Sequence, residues 1–247
     1  MPGVMVNAGG FPRSLARSAY YAVQGAAIRR TRPALARALD ATDTYSLLSR
    51  RKRIALYEAG HRVLERRLPG DFAEIGVHRG GGLGVLGAEL RAAGRQLHLF
   101  DRWGDMPCGT DRDGVFASAF TEGSVPQIVA DAGAYEAQQA VRHLLFDVIG
   151  LPRPAVTFHA GWFKETFAAY RDDPIAFAHV DADFYESTRD ALEFLDVHMA
   201  DRALVVLDDW DEWPGVRTAF EEHRCRTVRR LELQPGRGQA VVVVGDW

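Results

Sequence analysis

Carboxylates cluster after two apolar segments of the chain: Asp181 and Asp183 follow one, and Asp208 and Asp209 follow the other. Carboxylates that come close together repel one another, so a proton or a cation must compensate their charge. Oxygen ligands suit Mg²⁺, which is commonly held by a few carboxylates and keeps positions open for water or substrate oxygens. Asp181, Asp208 and Asp209 are therefore candidate magnesium ligands. Helix capping by Asp183 and Glu186 is the alternative for part of the cluster.

A second candidate site is the glycine-rich segment 76–82, the glycine turn, which lies between the apolar segments 71–76 and 96–101. Gly76 and Gly80 are four residues apart, and Asp101 ends the second apolar segment. Strand, glycine turn, helix, strand and acid is the order in which α/β sheets bind a nucleoside. The chain lacks the G-x-G-x-x-G spacing, which favours a nucleoside without a pyrophosphate, such as S-adenosylmethionine. The alternative is a turn that only packs a helix on a strand.

The elements that must position these residues alternate between strand and helix patterns. Helices are predicted over 44–68, from the glycine turn to Ala93, and over 134–149. Seven strands are predicted, over 71–76, 96–101, 155–159, 175–180, 203–207, 227–233 and 240–244. The last two are joined too closely for a helical crossover, so they should form an antiparallel hairpin with 227–233 at the edge. The predicted fold is α/β, with a seven-stranded, mostly parallel, doubly wound sheet.

Several motifs, in order from about Tyr45 to Glu222, together resemble the TylF/MycF-type macrocin O-methyltransferase family. They are PGDFAEIGVHRGG at 69–81, DRWGDMP at 101–107, GWFKET at 161–166, VDADFYEST at 180–188 and the pair Asp208-Asp209. The resemblance implies a class I methyltransferase (Rossmann-like) fold. It also implies an O-methyltransferase that depends on S-adenosylmethionine (SAM) and Mg²⁺ and acts on a sugar hydroxyl of a glycosylated natural product in antibiotic biosynthesis.

The resemblance also assigns roles to individual residues. Glu74, Gly76 and Gly80 would lie along the methionine and ribose of SAM, and Asp101 would bind the ribose hydroxyls. Near the adenine it places Gly161, Trp162 and Phe163. Asp181, Asp208 and Asp209 match the family's metal ligands, and Asp181 is also the best match to its proposed base.

Other side chains near these motifs have two interpretations. His78 stands where the family commonly has Trp; because it lies beside the glycine turn, it is a candidate contact of SAM or substrate. His179 is expected to be a core histidine. Trp103 and Trp210 could line an acceptor pocket or pack in the core.

Composition restricts the class of partner. The formal net charge of −3 gives no reason to expect nucleic acid. No apolar run approaches the roughly 20 residues that a membrane-spanning helix needs, and the N-terminus lacks the pattern of a secretory signal. Only two cysteines occur, Cys108 and Cys225, which suits a reducing cytoplasm. We expect a cytoplasmic enzyme whose acceptor is a glycosylated small molecule, with no nucleic-acid or membrane partner.

Residues 1–39 contain six arginines and no Asp or Glu. We predict an N-terminal helical arm or lid over 1–43, broken at Pro33, ahead of a methyltransferase domain over 44–247. The arm would pack on a neighbouring subunit of a homo-oligomer or cover the active site. A transit peptide or a surface-binding helix is the alternative.

Two other functions stay open at this point. Asp181-Ala-Asp183 also fits the D-x-D metal motif of a glycosyltransferase with a nucleotide-sugar donor, although the glycine turn and the second acid pair fit that poorly. A methyltransferase fold could also serve as a non-catalytic binding subunit. The intact set of candidate ligands argues against this role.

Overall fold

One seven-stranded sheet organises the protein, whose computed structural model describes residues 26–104, 109–114, 134–171, 173–236 and 238–247. The strand order is β3-β2-β1-β4-β5-β7-β6. The strands are β1 (Asp71–Ile75), β2 (Leu97–Asp101), β3 (Val156–Ala160), β4 (Ile175–Val180), β5 (Met199–Asp208), β6 (Leu231–Pro235) and β7 (Gln239–Val244). Strand β7 runs antiparallel to β5 and β6, and the pairings among β1 to β5 are parallel. The predicted α/β sheet with its antiparallel hairpin is therefore confirmed.

Helices cover both faces of the sheet because the central strands are apolar on both sides. All residues of β1 and β4 are buried, as is typical of parallel strands. The helices are α1 (Pro33–Thr42), α2 (Arg50–Glu65), α3 (Gly87–Ala93), α4 (Ala134–Arg142), α5 (Phe163–Ala169), α6 (Tyr185–His198) and α7 (Pro214–Arg224). Residues of α1, α2 and α4 pack in the core cluster of one face, and residues of α5, α6 and α7 pack in that of the other.

The strand order reverses between β1 and β4, which are adjacent in the sheet. From β1 the chain moves outward through β2 to β3, and from β4 it moves outward through β5 on the other side. In open α/β sheets, ligands bind in the crevice outside the carboxyl ends of the strands at such a reversal. Gly76 follows β1 and Asp181 follows β4, so both predicted sites begin at this crevice.

Several predicted boundaries were wrong, and the strand predicted over 203–207 begins at Met199. The helix predicted over 44–68 begins at Arg50, because the Ser49 side chain accepts a hydrogen bond from the Lys52 backbone N–H at 3.3 Å and caps the helix there. Leu47, which the prediction placed inside the helix, precedes it and is 71% exposed. The strand predicted over 227–233 begins at Leu231, and Val228 is fully exposed. The predicted edge position of this strand is confirmed.

The N-terminal segment breaks at Pro33, as predicted, since Arg32 is non-helical and α1 starts at the proline. Leu35 and Leu39 of α1 are buried in the same core cluster as α2. Residues 1–25 lie outside the described part, and the division into an arm over 1–43 and a domain over 44–247 stays a prediction.

The helix predicted over 134–149 consists of α4 and a π-helical turn over His143–Val148. Between β2 and α4, residues 105–108 and 115–133 lie outside the described residues, Cys108 among them. None of the helices within the described ranges is both long and apolar enough to cross a membrane.

Candidate active site

The carboxylate centre, which we define as Asp181, Asp208 and Asp209, lies at the carboxyl ends of two neighbouring strands. Val180 of β4 pairs with Leu207 of β5, so the acids that follow them emerge side by side. One ligand oxygen from each of the three carboxylates lies within 4.8 Å of the others. The predicted convergence is thus confirmed, and the role of these acids as metal ligands stays a prediction.

The electrostatics of the carboxylate centre favour a cation. Burial and the Asp208 carboxylate raise the pKa of Asp181 well above its ordinary value, although His179 opposes this shift. Burial also raises the pKa of Asp208. The Oδ1 atom of Asp208 is buried without a hydrogen-bond partner among the described residues. An unpaired buried carboxylate oxygen beside two further acids is a donor set that fits a hard divalent cation.

Lys52, which no sequence motif indicated as a site residue, lies against the carboxylate centre. Its Nζ atom is 3.1 Å from Asp208 Oδ2, 3.1 Å from Asp209 Oδ1 and 3.8 Å from Glu212 Oε2. Burial lowers the pKa of Lys52, but the two aspartates outweigh it and the net shift is upward. The only available signal was its rarity, since Lys52 and Lys164 are the only lysines in the sequence.

The capping role suggested for Asp183 is wrong, because Phe184 is the N-cap of α6 and its side chain forms no cap. Asp183 instead has a positive φ of 58°, and burial together with the neighbouring Asp209 carboxylate raises its pKa well above the ordinary value. The cap comes from Asp113, a fully buried residue whose carboxylate accepts the Tyr185 backbone N–H.

Glu186 was the other residue offered as a cap. Glu186 lies within the first turn of α6, where a carboxylate interacts favourably with the helix dipole but does not cap the helix.

The glycine turn packs directly on the carboxylate centre. Gly76 has φ +84°, and a Cβ atom at this position would lie 1.9 Å from the backbone carbonyl oxygen of Asp181. The backbone N–H of Asp181 also donates to Ile75 O at 2.8 Å. Gly81 and Gly82 are equally restricted, by the backbone of Tyr45 and by the Glu74 carboxylate. Close packing therefore explains why Gly76, Gly81 and Gly82 are glycines. It does not exclude a ligand on the side of the turn that faces away from these contacts. Gly80 has φ +85° and lies against Val141.

Asp101 organises the other side of the glycine turn. Its Oδ2 accepts the backbone N–H groups of Val77 and His78 at 2.7 and 2.8 Å, and its Oδ1 accepts that of Trp103 at 2.6 Å. Three charge-assisted bonds hold the carboxylate at the end of β2. Asp101 thus lies where the sequence predicts an acid for the ribose hydroxyls, and that role stays a prediction.

Glu74 is buried below the glycine turn rather than along its surface. Glu74 Oε1 accepts the Leu83 backbone N–H at 2.8 Å and lies 3.1 Å from His179 Nδ1. Burial opposes protonation of His179, but Glu74, Asp181 and Asp208 together outweigh it and raise the pKa of the imidazole. His179 is fully buried, as expected of a core histidine. Glu74 therefore links the glycine turn to β4, and its predicted SAM contact stays a prediction.

The remaining predicted cofactor contacts follow β3 or flank the turn. Gly161 donates its backbone N–H to Asp101 O at 3.1 Å, and Trp162 is 43% exposed with the Arg102 guanidinium 4.0 Å from its ring. Phe163, the first residue of α5, stacks on Phe167 of the same helix. His78 is partly buried, which lowers its pKa.

The two tryptophans offered for the acceptor pocket are buried. Trp103 packs against Phe158, and Trp210 packs against Phe220. The core-packing interpretation therefore describes both.

The chain as a whole is similar to known proteins. The family model described as Macrocin-O-methyltransferase (TylF) matches residues 15–233. A curated relative from Streptomyces olivaceus, 8-demethyl-8-(2,3-dimethoxy-alpha-L-rhamnosyl)-tetracenomycin-C 4'-O-methyltransferase, is 32% identical over 168 residues, which are 66% of this chain and 61% of that relative. The chain thus spans about three fifths of the length of this relative.

Solved structures show the same fold. The O-methyltransferase NovP has a TM-score of 0.68 at 24% identity, covering 82% of this chain and 83% of that chain. The calicheamicin methyltransferase CalS11 has a TM-score of 0.56 at 26% identity, covering 78% of each chain. The fold predicted from sequence is therefore that of known O-methyltransferases.

Proposed function

The chain belongs to the macrocin-O-methyltransferase (TylF) family, and from this premise we propose that it transfers a methyl group from SAM to a sugar hydroxyl of a glycosylated small molecule, with Mg²⁺ at the carboxylate centre. The relative from Streptomyces olivaceus, whose name specifies a rhamnosyl-tetracenomycin substrate, supports the class of acceptor. The family match favours methyl transfer over glycosyl transfer.

The observation that carries the proposal is the contact between the glycine turn and the carboxylate centre. Gly76 packs on the carbonyl oxygen of Asp181 so closely that no side chain fits between them. A nucleoside held by the glycine turn and an acceptor held at the carboxylates would therefore be neighbours. Methyl transfer needs this arrangement, because its rate depends on holding the acceptor oxygen in line with the methyl group.

The residues present fit both groups. The glycine turn with Asp101 fits a nucleoside, because a carboxylate fixed by two backbone N–H groups lies beside a glycine-rich turn at the end of a strand. When bound, SAM supplies a methyl group on an excellent leaving group, and Mg²⁺ supplies Lewis acidity that favours an ionised hydroxyl. Asp181, Asp208 and Asp209 would hold the metal, and Asp208 Oδ1 is unpaired within the described structure.

The chain's own residues would orient the acceptor and receive its proton. Among the three acids, Asp181 is the one whose backbone contacts the glycine turn, since its N–H donates to the carbonyl oxygen of Ile75, the residue before Gly76. We therefore assign proton removal to Asp181. His78 and Trp162 would contact the cofactor beside Asp101.

A pair of binding measurements tests the proposal without knowledge of the acceptor. S-adenosylhomocysteine binding is measured by calorimetry, and Mn²⁺ binding by electron paramagnetic resonance, on wild type, Asp101→Ala and Asp208→Asn. We expect Asp101→Ala to lose S-adenosylhomocysteine and keep Mn²⁺. We expect Asp208→Asn to show the reverse, because the two variants alter different sites.

Two outcomes contradict the proposal. Failure of wild type to bind S-adenosylhomocysteine, with or without Mg²⁺, contradicts methyl transfer. Unchanged Mn²⁺ affinity in Asp208→Asn contradicts the metal site and leaves the nucleoside site standing.

We further propose that the protein is a cytoplasmic homo-oligomer, which its sparse cysteines and its predicted N-terminal arm support. Light scattering of the full chain after size-exclusion chromatography tests the assembly. A monomeric mass contradicts it.

A further inference from the structure

We propose that Lys52 is a resident counter-cation of the carboxylate centre: its ammonium group stabilises the acids in the metal-free protein and thereby lowers their affinity for a divalent cation. The inference rests on the metal site of the proposed function. It assigns to a residue of α2, more than 150 positions away in sequence, control over how tightly the metal is held.

The geometry of Lys52 is that of an enclosed ion pair. Nζ is 3.1 Å from both Asp208 Oδ2 and Asp209 Oδ1. The side chain of Lys52 is 15% exposed, and that of Asp208 is 2% exposed. Ion pairs on an exposed surface contribute little, whereas a buried carboxylate that loses its partner is costly. Lys52 therefore compensates charge that the fold has already removed from water.

The surrounding backbone keeps the lysine in place. Gly238, at the turn between β6 and β7, has φ +75°, and a Cβ atom there would lie 2.8 Å from Lys52 Cε. Gly238 is itself fixed, because its N–H donates to Asp211 Oδ2 at 2.8 Å. At its other end, Lys52 lies in the first turn of α2, next to the Ser49 cap. The ammonium is thus held against the carboxylates from two sides.

A divalent cation can still enter with Lys52 present. Lys52 uses Oδ2 of Asp208, whereas Oδ1 has no partner among the described residues. Two cations on one carboxylate cluster repel each other, and this repulsion is strong at a partly buried position. Removing the lysine charge should therefore tighten metal binding and destabilise the metal-free protein.

The test compares Lys52→Met with Lys164→Met, a control that removes the same charge from the only other lysine, which is 70% exposed. Mn²⁺ affinity is measured by electron paramagnetic resonance, and Tm is measured in EDTA. We expect Lys52→Met to bind Mn²⁺ at least about tenfold more tightly than wild type and to melt at a lower temperature in EDTA. Lys164→Met should match wild type in both, and Lys52→Arg should restore wild-type behaviour.

The outcomes separate the inference from the proposed metal site. Equal Mn²⁺ affinity in wild type and Lys52→Met overturns the inference and leaves the site standing. If neither protein binds Mn²⁺, the metal site itself is overturned.

A second measurement does not require Lys52→Met to fold. In EDTA, Lys52 of the wild type should be acylated by an amine reagent several-fold more slowly than Lys164, as read by peptide mass spectrometry. Asp208→Asn should reduce that protection. Equal rates at the two lysines of the wild type overturn the inference.

Discussion

The two sides of the crevice handle buried negative charge in opposite ways. At the end of β2, Asp101 accepts backbone N–H groups from Val77, His78 and Trp103. At the ends of β4 and β5, the acids of the carboxylate centre lie close together, and Lys52 lies against them. One Asp208 oxygen there has no hydrogen-bond partner within the described structure. The Asp101 carboxylate is therefore stabilised by neutral backbone N–H groups close to it in sequence. The carboxylate centre depends on positive charge supplied by other elements, such as Lys52 of α2.

This difference indicates which side should respond to solution conditions. Backbone N–H groups do not titrate, so the donors that hold Asp101 do not change with pH or metal concentration. Carboxylates that repel one another are compensated by protons, by Lys52 or by a bound cation, and each of these depends on the medium. The carboxylate centre should therefore be the variable side of the crevice.

The largest expected effect breaks the contact between the two sides. Gly76→Ala forces a Cβ atom against Asp181 O at a residue with φ +84°. We expect a loss of at least about 3 kcal/mol in the free energy of unfolding, from steric overlap and backbone strain together. Chemical denaturation followed by circular dichroism measures this loss.

Gly94→Ala is the matched control for strain alone. Gly94 has φ +62°, and a Cβ atom there would meet nothing within 4 Å. We expect a loss of about 1 kcal/mol. Equal losses of free energy of unfolding in Gly76→Ala and Gly94→Ala would show that the overlap with Asp181 O adds nothing to backbone strain. The glycine turn and the carboxylate centre would then not be coupled through this contact.

The pH dependence of stability should be an effect of intermediate size. Burial raises the pKa of Asp181 and Asp183 in the folded protein, so the folded state binds more protons than the unfolded chain. The stability contributed by these groups is fully present below the unfolded pKa of about 3.9 and is lost as pH rises through the raised values. His179 also has a raised pKa and acts in the same direction. In EDTA, Tm should fall by a few degrees between pH 5 and pH 7.

Two controls locate this pH dependence. Saturating Mg²⁺ should flatten the profile, because the bound cation replaces the protons, and Asp181→Asn should reduce its slope. A Tm in EDTA that rises or stays constant over this range would place the compensation elsewhere.

The smallest expected effect defines the limit of the carboxylate centre. Glu212 is 3.8 Å from Lys52 Nζ, and its side chain is 52% exposed. Glu212→Gln should change the free energy of unfolding by less than about 0.5 kcal/mol, because exposed ion pairs are screened by water. Urea denaturation in EDTA measures this change. A larger loss would extend the centre to Glu212.

Sequence reasoning could predict the fold and the convergence of acids because both follow from local patterns. Apolar segments define the strands, and an acid after each of two neighbouring strands places both at one edge. The register of a parallel sheet then brings Asp181 and Asp208 together without information about other elements.

The partners that come from distant elements could not be predicted in this way. Lys52 meets Asp208 only because α2 packs over the end of β5, and Asp113 caps α6 from a segment 72 residues earlier. Neither contact leaves a periodic signal in the sequence. The start of α2 at Arg50 also depends on a single hydrogen bond, from the Lys52 backbone N–H to the Ser49 cap. Local pattern predicts a charged edge, whereas the packing of distant elements decides what neutralises it.

The position of β7 has a consequence for the order in which the molecule is completed on the ribosome. Strands β1, β2 and β3 pair with one another and are all synthesised by residue 160. Strand β5 finds its second neighbour only when residues 239–244 emerge, because β7 lies between β5 and β6. Until then, the strand that carries Asp208 exposes an apolar, unpaired edge of the kind that promotes aggregation. A nascent chain halted before residue 239 would therefore carry β1 to β5 with one edge of β5 unpaired and prone to aggregation.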